Sequence, residues 1–234
     1  MTTAPTMETP LIWDHVRGDE AAATALAEAC DIDPGIARLL VLRGITAPDE
    51  ATRFLTPALD QLHDPFSLTD LPVAVDRLLG AIARGERIAV HGDYDVDGVT
   101  STVMLRRLLE LLGADVVHFI PDRLRDGYGL EPAAIERLAG EDVNVIVSVD
   151  CGIRSAAAAI RARELGVDLI ITDHHEPDAT LPSALAVINP KRPDCLYPDK
   201  NLAGVGVALK LVQALCQRTD HSRWLPGFIK MAAL

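Results

Sequence analysis

The sequence predicts an α/β fold: a mostly parallel sheet with helices on both faces, preceded by a small helical N-terminal region. Three observations predict it. From Arg87 onward, short apolar runs alternate with amphipathic helical patterns, which is how parallel strands joined by right-handed helical crossovers read. The runs VNVIVSV and VDLII are apolar almost throughout, as strands are when helices cover both sheet faces. Three of the runs end in acidic or imidazole side chains, and open parallel sheets bind ligands beyond the carboxyl ends of their strands.

Residues 1–68 hold short helical patterns, such as IARLLVLRG and PDEATRFL, split by Pro and Gly. HDPFSLTDLP reads as a linker. The chain is therefore expected to divide into a helical extension over 1–68 and an α/β domain over 69–234. Asp70 stands where it could cap a helix running through Val73, Leu78, Leu79 and Ile82. RIAVHG is the first strand. Gly98 to Leu112 is a helix with Leu105, Leu108, Leu109 and Leu112 on one face. ADVVHFI is a strand, Glu131 to Ala139 a helix opened by Pro132, and VNVIVSV a strand. Ser155 to Leu165 is an Ala-rich helix, VDLIIT and LAVIN are strands, and Leu202 to Cys216 is the last clear helix.

Apolar residues make up 49% of the 234 and charged residues 24%, the balance of a soluble globular protein. Aromatic residues are only 4%, so the core is built from Ala, Val, Leu and Ile. No apolar run approaches the roughly 20 residues of a membrane helix, and MTTAPTMETP lacks the basic flank and apolar stretch of a signal peptide. Cys30, Cys151, Cys195 and Cys216 are scattered without zinc-like spacing and read as reduced thiols of a cytoplasmic protein. Cys151 reads as a small residue closing a strand. A net charge of −12 runs against the basic face usual for phosphate binding. The cations gather locally, however: Arg123 and Arg125 (with Tyr128) in PDRLRDGYGL, Arg154 after CGI, and Lys191 and Arg192 in INPKRPD. They could rim one sheet edge or be solvated loop charges.

The chemistry concentrates in IAVHGDYDVDG, where His91, Asp93, Asp95 and Asp97 follow a strand. Carboxylates this close raise each other's pKa, and divalent cations are the usual remedy for such a mixed His and Asp set. Asp150 ends VIVSVD, and Asp173, His174 and His175 follow VDLIIT. A calcium loop accounts for D-x-D-x-D-G but needs a Glu where Met104 stands. An aspartyl-nucleophile phosphatase of the haloacid-dehalogenase type needs its Asp directly after the strand and has no use for two histidines. A pair of cations clamping a phosphoryl group and activating a water uses the whole inventory. A sheet edge without metal would leave the carboxylates crowded together. LAGVGVALK sets Gly204 and Gly206 at a helix start, where bare amides could hold a phosphate. Close helix packing is the other use of those glycines.

HGDYDVDGVTS, PDRLRDGYGL, SVDCG, TDHHEP, INPKRPD and LAGVGVALKL, in this order over residues 91 to 210, resemble the DHH phosphoesterase superfamily, and within it the exonucleases specific for single-stranded DNA. The resemblance implies an enzyme using two Mn²⁺ or Mg²⁺ ions to degrade single-stranded DNA from the 5′ end to mononucleotides, in recombination and repair. It implies His91 and Asp95 on one metal, Asp97 and His174 on the other, and Asp150 bridging both. His175 would touch the scissile phosphate or the leaving group. Asp93 would orient His91 or a water, unless it exchanges roles with Asp95, and Asp173 would support the loop or a histidine. Single-strand-binding protein and a helicase are the implied partners. The family has a further Asp after a segment often reading ALGTVAD, and this chain stops at KMAAL. The expectation is the N-terminal part of a longer protein, nearly inactive alone. Inactive scaffolding relatives, and relatives acting on short oligonucleotides, cyclic dinucleotides or pyrophosphate, are the alternatives.

Overall fold

The structure, a computed structural model, describes residues 18–122, 127 and 129–233. It divides into two compact units, Met1–Leu62 and His63–Leu234. In the first, three helices, α1 (Glu20–Cys30), α2 (Pro34–Leu42) and α3 (Pro48–Leu55), close over Leu26, Ala27, Ala37, Leu40 and Ala51. Asp19 and Asp33 start α1 and α2 by accepting the Ala22 and Gly35 amides, the usual way of satisfying a helix's free N–H groups.

The division falls earlier than the expected boundary near residue 68, because HDPFSL is not a free linker. Asp64 accepts the Phe66 amide and turns the chain so that Leu68 is buried and Phe66 packs on the core of the second unit. Next comes α4 (Leu71–Arg84). Asp70 stands at its N-cap position with a positive φ of 63°, yet makes no capping bond. Its carboxylate instead reaches the Val187 amide at 3.1 Å and the Arg192 guanidinium at 2.6 Å.

The sheet contains β1 (Arg87–Gly92), β2 (Asp115–Phe119), β3 (Val143–Val149), β4 (Asp168–Thr172) and β5 (Ala186–Ile188), with α5 (Val96–Leu111), α6 (Pro132–Ala139) and α7 (Ala156–Glu164) as crossovers. All pairings are parallel, in the order β2-β1-β3-β4-β5. Successive strand residues face opposite sides. Ile88, Val90, Val145 and Val147 enter the core under α4, α5 and α8 (Gly204–Arg218). Ala89, Ile146, Leu169 and Ile171 enter the core under α6 and α7. A further helix, α9 (Leu225–Ala232), buries Phe228; the sequence reading stopped before it. The sheet runs outward in both directions from the β1–β3 pair, so the loops after those strands form the crevice where such sheets bind ligands.

Candidate metal centre

The loop after β1 is shaped by glycine. A β-carbon on Gly92 would fall 1.9 Å from Thr102 Oγ1, and one on Gly98 2.6 Å from the Asp93 backbone. The first turn of α5 therefore lies directly on the strand end. Asp95 caps it, accepting the Gly98 amide at 2.9 Å. Asp93 is buried and accepts the Tyr94 amide at 2.6 Å. The Asp97 carboxylate crosses to the N-terminus of α8, accepting the amides of Gly204 at 2.8 Å and Val205 at 2.5 Å. The amides considered for a phosphate thus already hold a carboxylate, which suits the positive end of a helix dipole.

The other two strand tips converge on this loop. Asp150 follows β3 with φ 62°, a left-handed conformation that non-glycine residues keep only when their surroundings impose it. Here Asp150 N donates to Thr172 O at 2.9 Å, and Ser148 Oγ donates to Cys151 O at 2.9 Å. Asp173 follows β4 and is fully buried. It accepts the amides of Ile153, His174 and His175 and the His175 Nδ1 at 2.7 Å. His174 Nε2 lies 3.2 Å from Asp150 Oδ1 and 3.7 Å from Asp97 Oδ2.

Among the described residues, two groups of side chains have donor atoms close enough to share a cation: Asp93, Asp95 and Asp150, and Asp150, His174 and His175. Asp150 belongs to both. Asp97 is outside both groups but touches the second through His174. His91 is also outside them. It is buried at the end of β1, with Nδ1 3.6 Å from Cys151 Sγ and Nε2 without a hydrogen-bond partner among the described residues. Asp150 Oδ1 is likewise buried and, among the described residues, without a hydrogen bond. Such buried orphans are costly. Burial, then the charges of Asp97 and Asp95, push Asp150 up to about 8. Burial also pulls His91 down to about 4 and raises Asp93. A hard divalent cation would satisfy the orphaned atoms, offset the repulsion and match the oxygen and imidazole donors, so the residues fit a metal. Burial holds the Cys151 thiol well above its usual pKa, and Cys151 joins neither donor group.

A cleft of about 530 Å³ opens beside the histidines, lined by Ile153, Arg154, Ser155, His174, His175 and Lys191 among others. Arg154 Nε donates to Glu176 O at 2.9 Å, and Lys191 Nζ lies 3.1 Å from the Glu176 carboxylate. Arg123, Arg125 and Tyr128 lie outside the described residues. Gly206 packs on Leu202, 3.3 Å from where its β-carbon would be. Sequence reasoning missed Asn189, fully buried, whose Nδ2 donates to His175 O at 2.9 Å. Its position just past the apolar run LAVI was the available signal.

Residues 87–232 match the family described as "DHH family, N-terminal domain". The single-stranded-DNA-specific exonuclease RecJ of Bacillus subtilis is 43% identical over 203 residues, covering 87% of this chain and 26% of that protein. RecJ of Escherichia coli is 40% identical over 186 residues, covering 79% and 32%. The crystal structure of Thermus thermophilus RecJ in complex with Mn²⁺ superposes with a TM-score of 0.69 at 35% identity, over 86% of this chain and 28% of that one. A second crystal structure, of exonuclease RecJ bound to manganese, gives a TM-score of 0.60 at 42% identity, over 65% and 38%. The chain spans about a quarter to a third of the length of these curated relatives. The match over most of the α/β unit, together with identities of this size, leads to one conclusion: the chain belongs to the DHH family.

Proposed function

We propose that this chain carries the catalytic centre of a cytoplasmic, manganese- or magnesium-dependent exonuclease that hydrolyses single-stranded DNA from its 5′ end to mononucleotides, in recombination and repair. The observation that carries the reading is Asp150, the one side chain common to both donor groups. Of two ions, Asp95 and His91 would hold one and Asp97 and His174 the other, with Asp150 shared. Asp93 lies close enough to Asp95 and Asp150 to act as a ligand beside them, which supports a ligand role for it in addition to orienting His91 or a water. When bound, the ions neutralise the carboxylates, polarise the phosphodiester and make a water acidic enough to attack it.

The remaining roles belong to the chain's own side chains. Asp173 accepts from His175 Nδ1, leaving Nε2 as the atom that can meet the scissile phosphate or the departing oxygen. Arg154 and Lys191 supply positive charge to the wall of the same cleft, where a strand's phosphates would otherwise meet a chain of net charge −12. Gly204 lets α8 approach Asp150, and its amide orients Asp97 rather than a phosphate. Single-strand-binding protein and a helicase are the proposed partners.

End-labelled single-stranded DNA incubated with the full-length protein and manganese tests this. Release of labelled mononucleotide from the 5′ end is the expected result. Turnover of dinucleotides or pyrophosphate with long strands left intact would replace the reading, and an inert protein that still binds DNA would point to a scaffold.

A further inference from the structure

Asn189 is fully buried, and both ends of its amide are used: Nδ2 donates to His175 O at 2.9 Å, and Oδ1 accepts the Lys191 amide at 2.8 Å. The turn it opens is closed by the Arg192 amide, which donates to Asn189 O at 3.3 Å. Arg192 is itself nearly buried. It grips Asp194 with two parallel bonds of 2.9 and 2.7 Å, Asp70 at 2.6 Å, and the Val187 carbonyl. Asp70 also accepts the Val187 amide, so both polar backbone groups of Val187 in β5 are taken by this pair. A forked guanidinium bound on several sides is held in one orientation. The positive φ of Asp70 is the kind of backbone strain that persists only where surrounding bonds enforce it.

We propose that Asn189, held by the Arg192–Asp70 pair, is a positioning residue that fixes the main chain of His175 and so sets the imidazoles of His174 and His175. The functional unit then begins at Asp70, ahead of the 87–232 segment that matches the family. Without the Nδ2 donor, the His175 carbonyl loses its buried partner and the loop after β4 is free to shift. Asp173 still anchors His175 from the strand side, but nothing fixes it from the turn side. This inference rests on the metal-dependent phosphodiesterase reading, and its test separates the two.

Imidazole nitrogen resonances of the metal-free chain are compared for wild type, Asn189→Ala, Asn189→Asp and Asp70→Asn, with Val75→Ala in α4 as a destabilised control. The His175 resonances should move in the first three variants and stay in place in the control. Asn189→Asp keeps the acceptor for Lys191 but sets an oxygen against the His175 carbonyl, so it should behave like Asn189→Ala. In the full-length protein with manganese, kcat should fall about 10–100-fold for the Asn189 variants, with KM within about twofold. Asp70→Asn, the milder variant, should show a smaller loss that disappears in the Asn189→Ala background, as for groups acting in series. Unmoved His175 resonances, or a kcat equal to wild type, would overturn the positioning role. An inactive wild type would overturn the nuclease reading instead, and the resonances would still decide the role of Asn189.

Discussion

A β-carbon on Gly204 would lie 2.2 Å from Asp150 Oδ1 and 2.6 Å from its Cγ. The side chain shared by both donor groups and the start of α8 are thus in contact with no room for a methyl group. Gly204→Ala should push α8 off Asp150 and loosen the Gly204 and Val205 bonds to Asp97. We expect a stability loss of about 1–3 kcal/mol from overpacking and Mn²⁺ binding about 10–100-fold weaker by calorimetry. Gly206→Ala, which meets only the flexible Leu202 side chain, should bind manganese as wild type does.

Asp150→Ala should remove nearly all of the proposed nuclease activity of the full-length protein, since both donor groups lose a member. Without metal, the variant should melt no lower than wild type, because a buried carboxylate crowded by Asp97 and Asp95 has been taken away. Manganese at 100 times its dissociation constant should stabilise wild type by about 2.7 kcal/mol, a gain that EDTA reverses and Asp150→Ala abolishes. A melting temperature that manganese raises equally in both proteins would contradict the shared role.

Asp173→Asn should separate folding from chemistry less cleanly. Asp173 takes three amides and the His175 Nδ1. An Asn has one acceptor oxygen and brings a donor into a cluster of donors. Loss of about 1–3 kcal/mol in stability and a fall in kcat are expected, measured by denaturant unfolding and single-turnover hydrolysis. Unchanged kcat would remove His175 from the reaction or Asp173 from its support.

Lys210 gives a test of pH dependence away from the centre. It is buried in α8, donates to His63 O and Gln213 Oε1, and burial lowers it to about 8. The folded chain gives up this proton near pH 8, while an unfolded chain holds it to about 10.4. Between those values the unfolded state binds more protons, so stability rises with pH. Relative to Lys210→Met, wild type should gain up to about 3 kcal/mol from pH 7 to 10.5, read from urea unfolding. Parallel pH curves for the two proteins would show that the amine is not depressed.

What the sequence revealed was local. The β1, β3 and β4 strands are mostly apolar, and His91, Asp150 and Asp173 stand at or just past their ends, so the sheet could be read and the side-chain clusters at its tips picked out. The start of α5 reads as Gly98 in the sequence and lies at Val96, because Asp95, there a metal-ligand candidate alone, also caps the helix by accepting the Gly98 amide. What escaped depends on partners far along the chain. Asp70 occupies a cap position but spends its carboxylate on Val187, 117 residues away. The α8 amides look free in sequence and are taken by Asp97, 107 residues back. In α9, Pro226 and Gly227 interrupted a helical pattern that packing against α5 and α8 completes.

The ladder bonds past the strand ends have a dynamic consequence. Asp150 N donates to Thr172 O, and Asp173 N to Ile188 O, so the backbones of two central acids are continuous with the sheet. Opening either position requires the strand pairing beside it, β3–β4 or β4–β5, to part, which places these amides among the slowest to exchange with solvent. Asp95 lies outside the ladder, at an exposed helix start. One wall of the cluster is therefore continuous with the sheet, while Asp95 is held by the first turn of α5.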